Sequence, residues 1–134
     1  MPAPKKRILV VDDEVSFTRL LKLNLEQTGD YEVHVENSAG EALPAARRFK
    51  PDLVLLDVMM PEMDGGTLAA RLRESPALEN APIIFLTAAV KKEEVLARHG
   101  QIGGFPFIAK PMDLADLIQC LRDHLGGQAE HSAK

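Results

Sequence analysis

Apolar runs in this chain break off at groups able to do chemistry. Ile8-Leu9-Val10-Val11 runs into Asp12-Asp13-Glu14, Leu53-Val54-Leu55-Leu56 into Asp57, Ile83-Ile84-Phe85-Leu86 into Thr87, and Phe107-Ile108-Ala109 into Lys110. Two carboxylates about 4 Å apart repel by roughly 4 kcal/mol at an effective dielectric near 20, and three repel more. Such a cluster must protonate, open up or recruit a cation. Oxygen donors with no His or Cys beside them favour a hard ion, and Mg2+ is the usual one where phosphate is handled, with Mn2+ as a substitute. A carboxylate set between a cation and the compact charge of Lys110 can act as a covalent nucleophile toward phosphorus. Thr87 adds a hydroxyl donor. In-line positioning and neutralised charge are most of what phosphoryl transfer needs.

These groups act together only if the fold gathers them. Ile8–Val11 and Leu53–Asp57 are continuously apolar up to their ends, as strands buried on both faces of a parallel sheet are. Tyr31–Glu36 alternates with period two, predicting an edge strand covered on one face. Ile83–Thr87 and Phe105–Lys110 complete five strands, and Pro106 requires an edge position or a bulge in the last. Between them lie helical patterns. Val15 to Leu25 places Phe17, Leu20, Leu21 and Leu25 on one face, with Gly29 as a stop. Ser38 and Glu41 form a capping box for a helix to about Phe49, which Pro44 should kink or shorten. Asp64 caps a third helix to about Arg73, and Lys91–His99 reads as a short polar helix. Asp113 opens a last helix with Leu114, Leu117, Ile118 and Leu121 as its buried stripe, ended by Gly126-Gly127. This alternation predicts an α/β chain: a single-domain, doubly wound (βα)5 unit of flavodoxin-like type, its five parallel strands in the order 2-1-3-4-5. Ligands of such sheets bind at the carboxyl ends of the strands, where the polar groups stand. The domain is read as residues 5–126, with 127–134 a flexible tail.

Composition narrows the function. The 134 residues are 46% hydrophobic and 27% charged, ordinary for one globular domain. Sixteen basic residues against twenty acidic give a net charge of −4, and aromatics are scarce, with no Trp. That balance argues against direct nucleic-acid binding through a basic or base-stacking face. One cysteine, Cys120, excludes an intrachain disulfide. No apolar run approaches a membrane span, and Ile8–Val11 is too short for a signal peptide's apolar stretch, so a soluble, cytoplasmic protein is expected. His34, His99, His124 and His131 show no ligand spacing.

Four blocks together resemble the signature of the two-component response-regulator receiver domain: Val10-Val11-Asp12-Asp13-Glu14, Leu55-Leu56-Asp57-Val58-Met59-Met60-Pro61-Glu62-Met63-Asp64-Gly65, Leu86-Thr87-Ala88-Ala89 and Phe107-Ile108-Ala109-Lys110-Pro111. They occur in the family's order, over nearly the whole chain. The resemblance implies that Asp57 accepts a phosphoryl group from a histidine kinase or histidine phosphotransfer protein. It implies that Asp13, Asp57 and the Met59 backbone carbonyl hold Mg2+, that Asp12 helps through water, and that Lys110 and Thr87 contact the phosphoryl group. The bond before Pro111 is expected to be cis. In the family, Thr87 moving toward phosphate couples to an aromatic in the fifth strand, here Phe107. The signal would then pass to a downstream effector protein or domain through the face of the fourth helix, fifth strand and last helix, with phosphorylation-dependent homodimerisation a further mode. Such a domain is no enzyme beyond its own phosphotransfer and autodephosphorylation. Gly100–Pro106 departs from the usual lead into the fifth strand, and Met59 and Ala89 offer no strong hydrogen bond to a hydrolytic water.

Rival readings share the fold. A pseudo-receiver would dock partners as a scaffold without phosphorylation, but the acidic set with Thr87 and Lys110 is complete. A phosphohydrolase with an Asp nucleophile needs a second acid two residues on, where Met59 stands. A flavin-binding protein would have a Ser/Thr/Gly-rich first loop rather than an acidic one.

Overall fold

The computed structural model describes residues 5–57, 65–78, 81–87, 101–102, 105–109 and 113–126, with side chains at 65–66, 77, 87, 101–102, 105–107, 109 and 126 left out. The helix expected over Lys91–His99, the Asp64 cap and the tail at 127–134 lie outside these residues.

Strand β1 (Lys6–Val11) is flanked by β2 (Tyr31–Glu36) on one side and β3 (Leu53–Asp57) on the other, both parallel to it. Beyond β3 come β4 (Ile83–Thr87), then β6 (Phe105–Ala109), also parallel, then a two-residue strand β5 (Gln101–Ile102). Alternation sorts the core into two layers. Leu9, Val11, Val54, Leu56, Ile83 and Phe85 point to the side covered by α2 (Ala39–Phe49) and α3 (Gly65–Arg73). Ile8, Val10, Leu53, Leu55, Ile84 and Leu86 point to the side covered by α1 (Val15–Gln27) and α4 (Leu114–Leu121). Burial of both sheet faces is why β1, β3 and β4 are unbroken apolar runs. The predicted flavodoxin-like α/β fold is found, and the expected parallel order 2-1-3-4-5 appears as β2-β1-β3-β4-β6, the expected fifth strand being β6.

One correction concerns the edge. β5 pairs antiparallel outside β6, with Gln101 opposite Pro106 and Ile102 opposite Phe105, so a sixth strand borders the sheet. The parallel ladder from β4 to β6 starts at the pair Phe85 and Phe107, one residue after Pro106. A proline at the head of a strand costs that ladder no donor.

Two leucines expected in the core are exposed. Leu20 is 58% exposed, and the stripe of α1 that reaches the sheet is Thr18, Leu21 and Leu25. Positions 18, 21 and 25 follow the 3.6-residue period, whereas Leu20 lies about 100° from Leu21. Leu114 is likewise 37% exposed at the start of α4, whose buried residues are Leu117 and Leu121. Both leucines line an apolar depression between α1 and α4. Ser38 is the extended N-cap residue of α2, but its side chain does not make the capping bond. Pro44 does not shorten α2, which runs on to Phe49; it sits on the exposed face. Gly29 does stop α1, at φ 84°.

At the open edge of β2, side chains from α1 occupy both backbone groups of Val33. Lys22 and Glu26 pair at 2.9 Å; Lys22 Nζ donates to the Val33 carbonyl at 2.7 Å, and the Val33 N–H donates to Glu26 Oε2 at 3.0 Å. Occupied backbone groups at Val33 interrupt the template that an edge strand offers to another strand. The Lys22 hydrogen bond, followed by that from Val33, lowers the Glu26 carboxyl below its ordinary 4.5. The folded state therefore binds a proton at lower pH than the unfolded chain. The resulting stability is present above about pH 4.5 and fades as pH falls through the lowered value. Glu26→Gln is expected to cost a few tenths to about 1 kcal/mol at pH 7. Denaturant melts should show that difference shrinking toward pH 3. No helix among the described residues is long and apolar enough to cross a membrane.

Candidate functional site

β1 and β3 are neighbours in register, Val11 beside Leu56. The next residue on each strand is Asp12 and Asp57, so parallel pairing alone sets two acids side by side. Asp13 joins them: one carboxylate oxygen from each of the three lies within 4.8 Å of the others. Asp12 is fully buried, Asp57 is 5% exposed and Asp13 is exposed. The pocket thus has a sunken pair of acids and one acid at the water boundary.

Three hydrogen bonds hold Asp12 from different directions. Its N–H donates to the Glu36 carbonyl at 3.1 Å. Its Oδ1 accepts the Glu14 N–H at 2.9 Å, and its carbonyl accepts Asn37 Nδ2 at 2.7 Å. The Asp12 side chain therefore bonds the residue heading α1, Glu14, whose own side chain makes no capping bond. Capping by Asp12 and Asp13 does not account for the pair, since Asp13 faces the cluster instead.

This donor set suits a hard divalent cation. All three donors are oxygens, and adjacent ligands of an octahedral Mg2+ lie about 3 Å apart, opposite ones about 4.2 Å. Burial of Asp12 and Asp57 in apolar surroundings sharpens their mutual repulsion, which a cation would offset.

Thr87 ends β4 with its backbone beside Ala109, and β4 is the neighbour of β3, with Asp57 opposite Leu86. The β6 strand stops at Ala109, one residue before Lys110 in the chain. The backbone of Phe107 lies in the ladder beside Phe85. Met59, Lys110 and Pro111, and the side chains of Thr87 and Phe107, lie outside the description, so their expected roles carry over as proposals. Two residues were not singled out in the sequence, Asn37 and Thr18. The signal for Asn37 is topological: once β2 is placed beside β1, the residue after β2 must border the acidic loop after β1.

Cys120 is half-buried on α4, and burial pushes its thiol above the ordinary value. A thiol so shifted is a poor nucleophile.

The sequence profile described as the response regulator receiver domain matches residues 8–122. Over 107 residues the chain is 43% identical to the alkaline phosphatase synthesis transcriptional regulatory protein PhoP of Bacillus subtilis, covering 79% of this chain and 42% of that protein. The BeF3-activated N-terminal receiver domain of Klebsiella pneumoniae RstA superposes with a TM-score of 0.73 at 34% identity, covering 90% of this chain and 98% of that one. The receiver domain of the sensor histidine kinase PA1611 from Pseudomonas aeruginosa PAO1, solved with a magnesium ion coordinated in its active-site cleft, gives a TM-score of 0.77 at 25% identity, covering 92% and 99%. The chain spans about half the length of the first curated relatives it matches. With its sheet order, its acidic cluster at the strand ends and a profile match across most of its length, this chain belongs to the response regulator receiver domain family of two-component phosphorelay signalling.

Proposed function

We propose that this domain, over residues 5–126, takes a phosphoryl group onto Asp57 from a phosphohistidine on a histidine kinase or histidine phosphotransfer protein, and passes the signal to a downstream effector. The observation that carries this reading is the convergence of Asp12, Asp13 and Asp57, with one oxygen of each inside 4.8 Å. Asp13, Asp57 and the Met59 carbonyl would hold Mg2+, with Asp12 engaged through water. The ion, when bound, supplies charge neutralisation for the incoming phosphoryl oxygens.

A carboxylate oxygen of Asp57 attacks phosphorus; the new O–P bond forms as the N–P bond breaks, and the donor imidazole nitrogen keeps the electron pair. Burial of Asp57 within the cluster strips water from the nucleophile and limits the directions of approach. Lys110 and Thr87 are assigned to the transferred oxygens, Lys110 as a charge and Thr87 as a hydroxyl donor. Movement of Thr87 toward the acyl phosphate, coupled to Phe107, would then alter the surface of β6 and α4, where the partner docks.

A small phosphodonor tests this without a cognate kinase. Acetyl phosphate with Mg2+ is expected to add one phosphoryl group by intact-protein mass spectrometry, and EDTA to prevent it. An unchanged mass under both conditions, with the protein folded, would favour the scaffold reading instead.

A further inference from the structure

We propose that Asn37 is a positioning residue for the acidic loop: its side-chain amide locks the residues after β1 to α1 and so sets the chelating geometry of Asp12 and Asp13. This deepens the function proposed above and rests on it. Asn37 Nδ2 lies 2.7 Å from the Asp12 carbonyl and 2.9 Å from Thr18 Oγ1. A carbonyl only accepts, so the group facing it must be the NH2 end of the amide. That leaves its second hydrogen for Thr18. The Thr18 hydroxyl in turn donates to the Val15 carbonyl at 3.0 Å, which frees a lone pair toward Asn37. Every donor in the chain Asn37 to Thr18 to Val15 thus has a single direction.

The clamp joins three segments at one point. Asn37 stands on the connection after β2, Asp12 on the connection after β1, and Thr18, only 1% exposed, in the first turns of α1. The Asp12 N–H bond to the Glu36 carbonyl fixes the same loop from its other side. Between them they hold the Asp12 peptide groups before and after its side chain. Three mutually repelling carboxylates would push that loop outward, and a bond to the Asp12 carbonyl resists the push. Groups that orient metal ligands from behind typically change metal affinity by 10–100-fold when removed.

Isothermal titration calorimetry with Mg2+ on the full chain, alongside thermal melts, tests this. Wild type is expected to bind; Asn37→Ala should bind about tenfold more weakly. Thr18→Val, which removes the hydroxyl but keeps the Asp12 bond, should weaken binding by a smaller factor, and Thr18→Ser should restore it. Leu25→Val, in the core at the far end of α1, should lower the melting temperature and leave Mg2+ affinity as in wild type. Wild-type affinity in Asn37→Ala overturns the inference, as does weakening in Leu25→Val equal to that of Asn37→Ala at equal loss of melting temperature. If Asn37→Ala does not fold, the contrast between Thr18→Val and Thr18→Ser decides, and equal affinity in the two overturns it. A wild type that binds no Mg2+ instead overturns the metal reading beneath it, and this inference with it.

Discussion

Asp57→Asn is expected to take up no phosphoryl group from acetyl phosphate while unfolding at a higher temperature than wild type in metal-free buffer. The first effect is chemical: an amide oxygen has neither the charge nor the nucleophilicity of a carboxylate. The second is electrostatic. Asp57 is nearly buried in a cluster whose oxygens lie within 4.8 Å, so the metal-free fold holds like charges that the unfolded chain keeps apart. At an effective dielectric near 20 each such pair costs up to about 4 kcal/mol, and relaxation and Asp13's exposure reduce the recoverable part to about 1 kcal/mol. Mg2+ should reverse the ranking. At a concentration a hundredfold above its dissociation constant a ligand stabilises by about 2.7 kcal/mol, which wild type gains and Asp57→Asn largely loses. Melts with and without Mg2+, beside the mass measurement, check both halves. Phosphorylation of the Asn variant would move the acceptor elsewhere, and a variant less stable than wild type in EDTA would deny the repulsion.

Leu55→Ala is expected to lower folding stability by about 3 kcal/mol, within the 2–5 kcal/mol range for truncating a buried leucine. Leu55 is fully buried in the central strand β3, between Val10 on β1 and Ile84 on β4, in the layer under α1 and α4. The cavity would lie in the layer least able to collapse, since strands on both sides hold it open. Against a total of about 5–15 kcal/mol, this loss should shift a urea midpoint markedly and lower the melting temperature by about 10 °C. Leu20→Ala is the matched control. With Leu20 58% exposed, its cost should stay within about 0.5 kcal/mol. Equal losses in the two variants would contradict the two-layer core.

Much of this architecture could be read from residue order. Unbroken apolar runs at Ile8–Val11, Leu53–Leu56 and Ile83–Leu86 announce strands covered on both faces, and right-handed crossovers restrict how such strands can be ordered. Once β1 and β3 are adjacent and parallel, Asp12 and Asp57 must meet, because each is the first polar residue past a paired end. Finer placements were less legible. Leu20 and Leu114 looked like core residues because hydrophobicity shows that a side chain can be buried, not which face of a helix the neighbours leave open. The antiparallel pair added by Gln101 and Ile102 arises from a chain reversal that the apolar pattern does not encode.

Thus local pattern by itself determined the five parallel strands and which acids stand at their ends, since hydrophobic periodicity is a property of neighbouring residues. Only the tertiary structure decided that Asn37 and Thr18, separated by nineteen positions, would share a hydrogen bond and brace the acidic loop. Hydrogen bonds of that kind depend on ångström-scale distances between segments, and no spacing along a chain specifies those until the layers have packed.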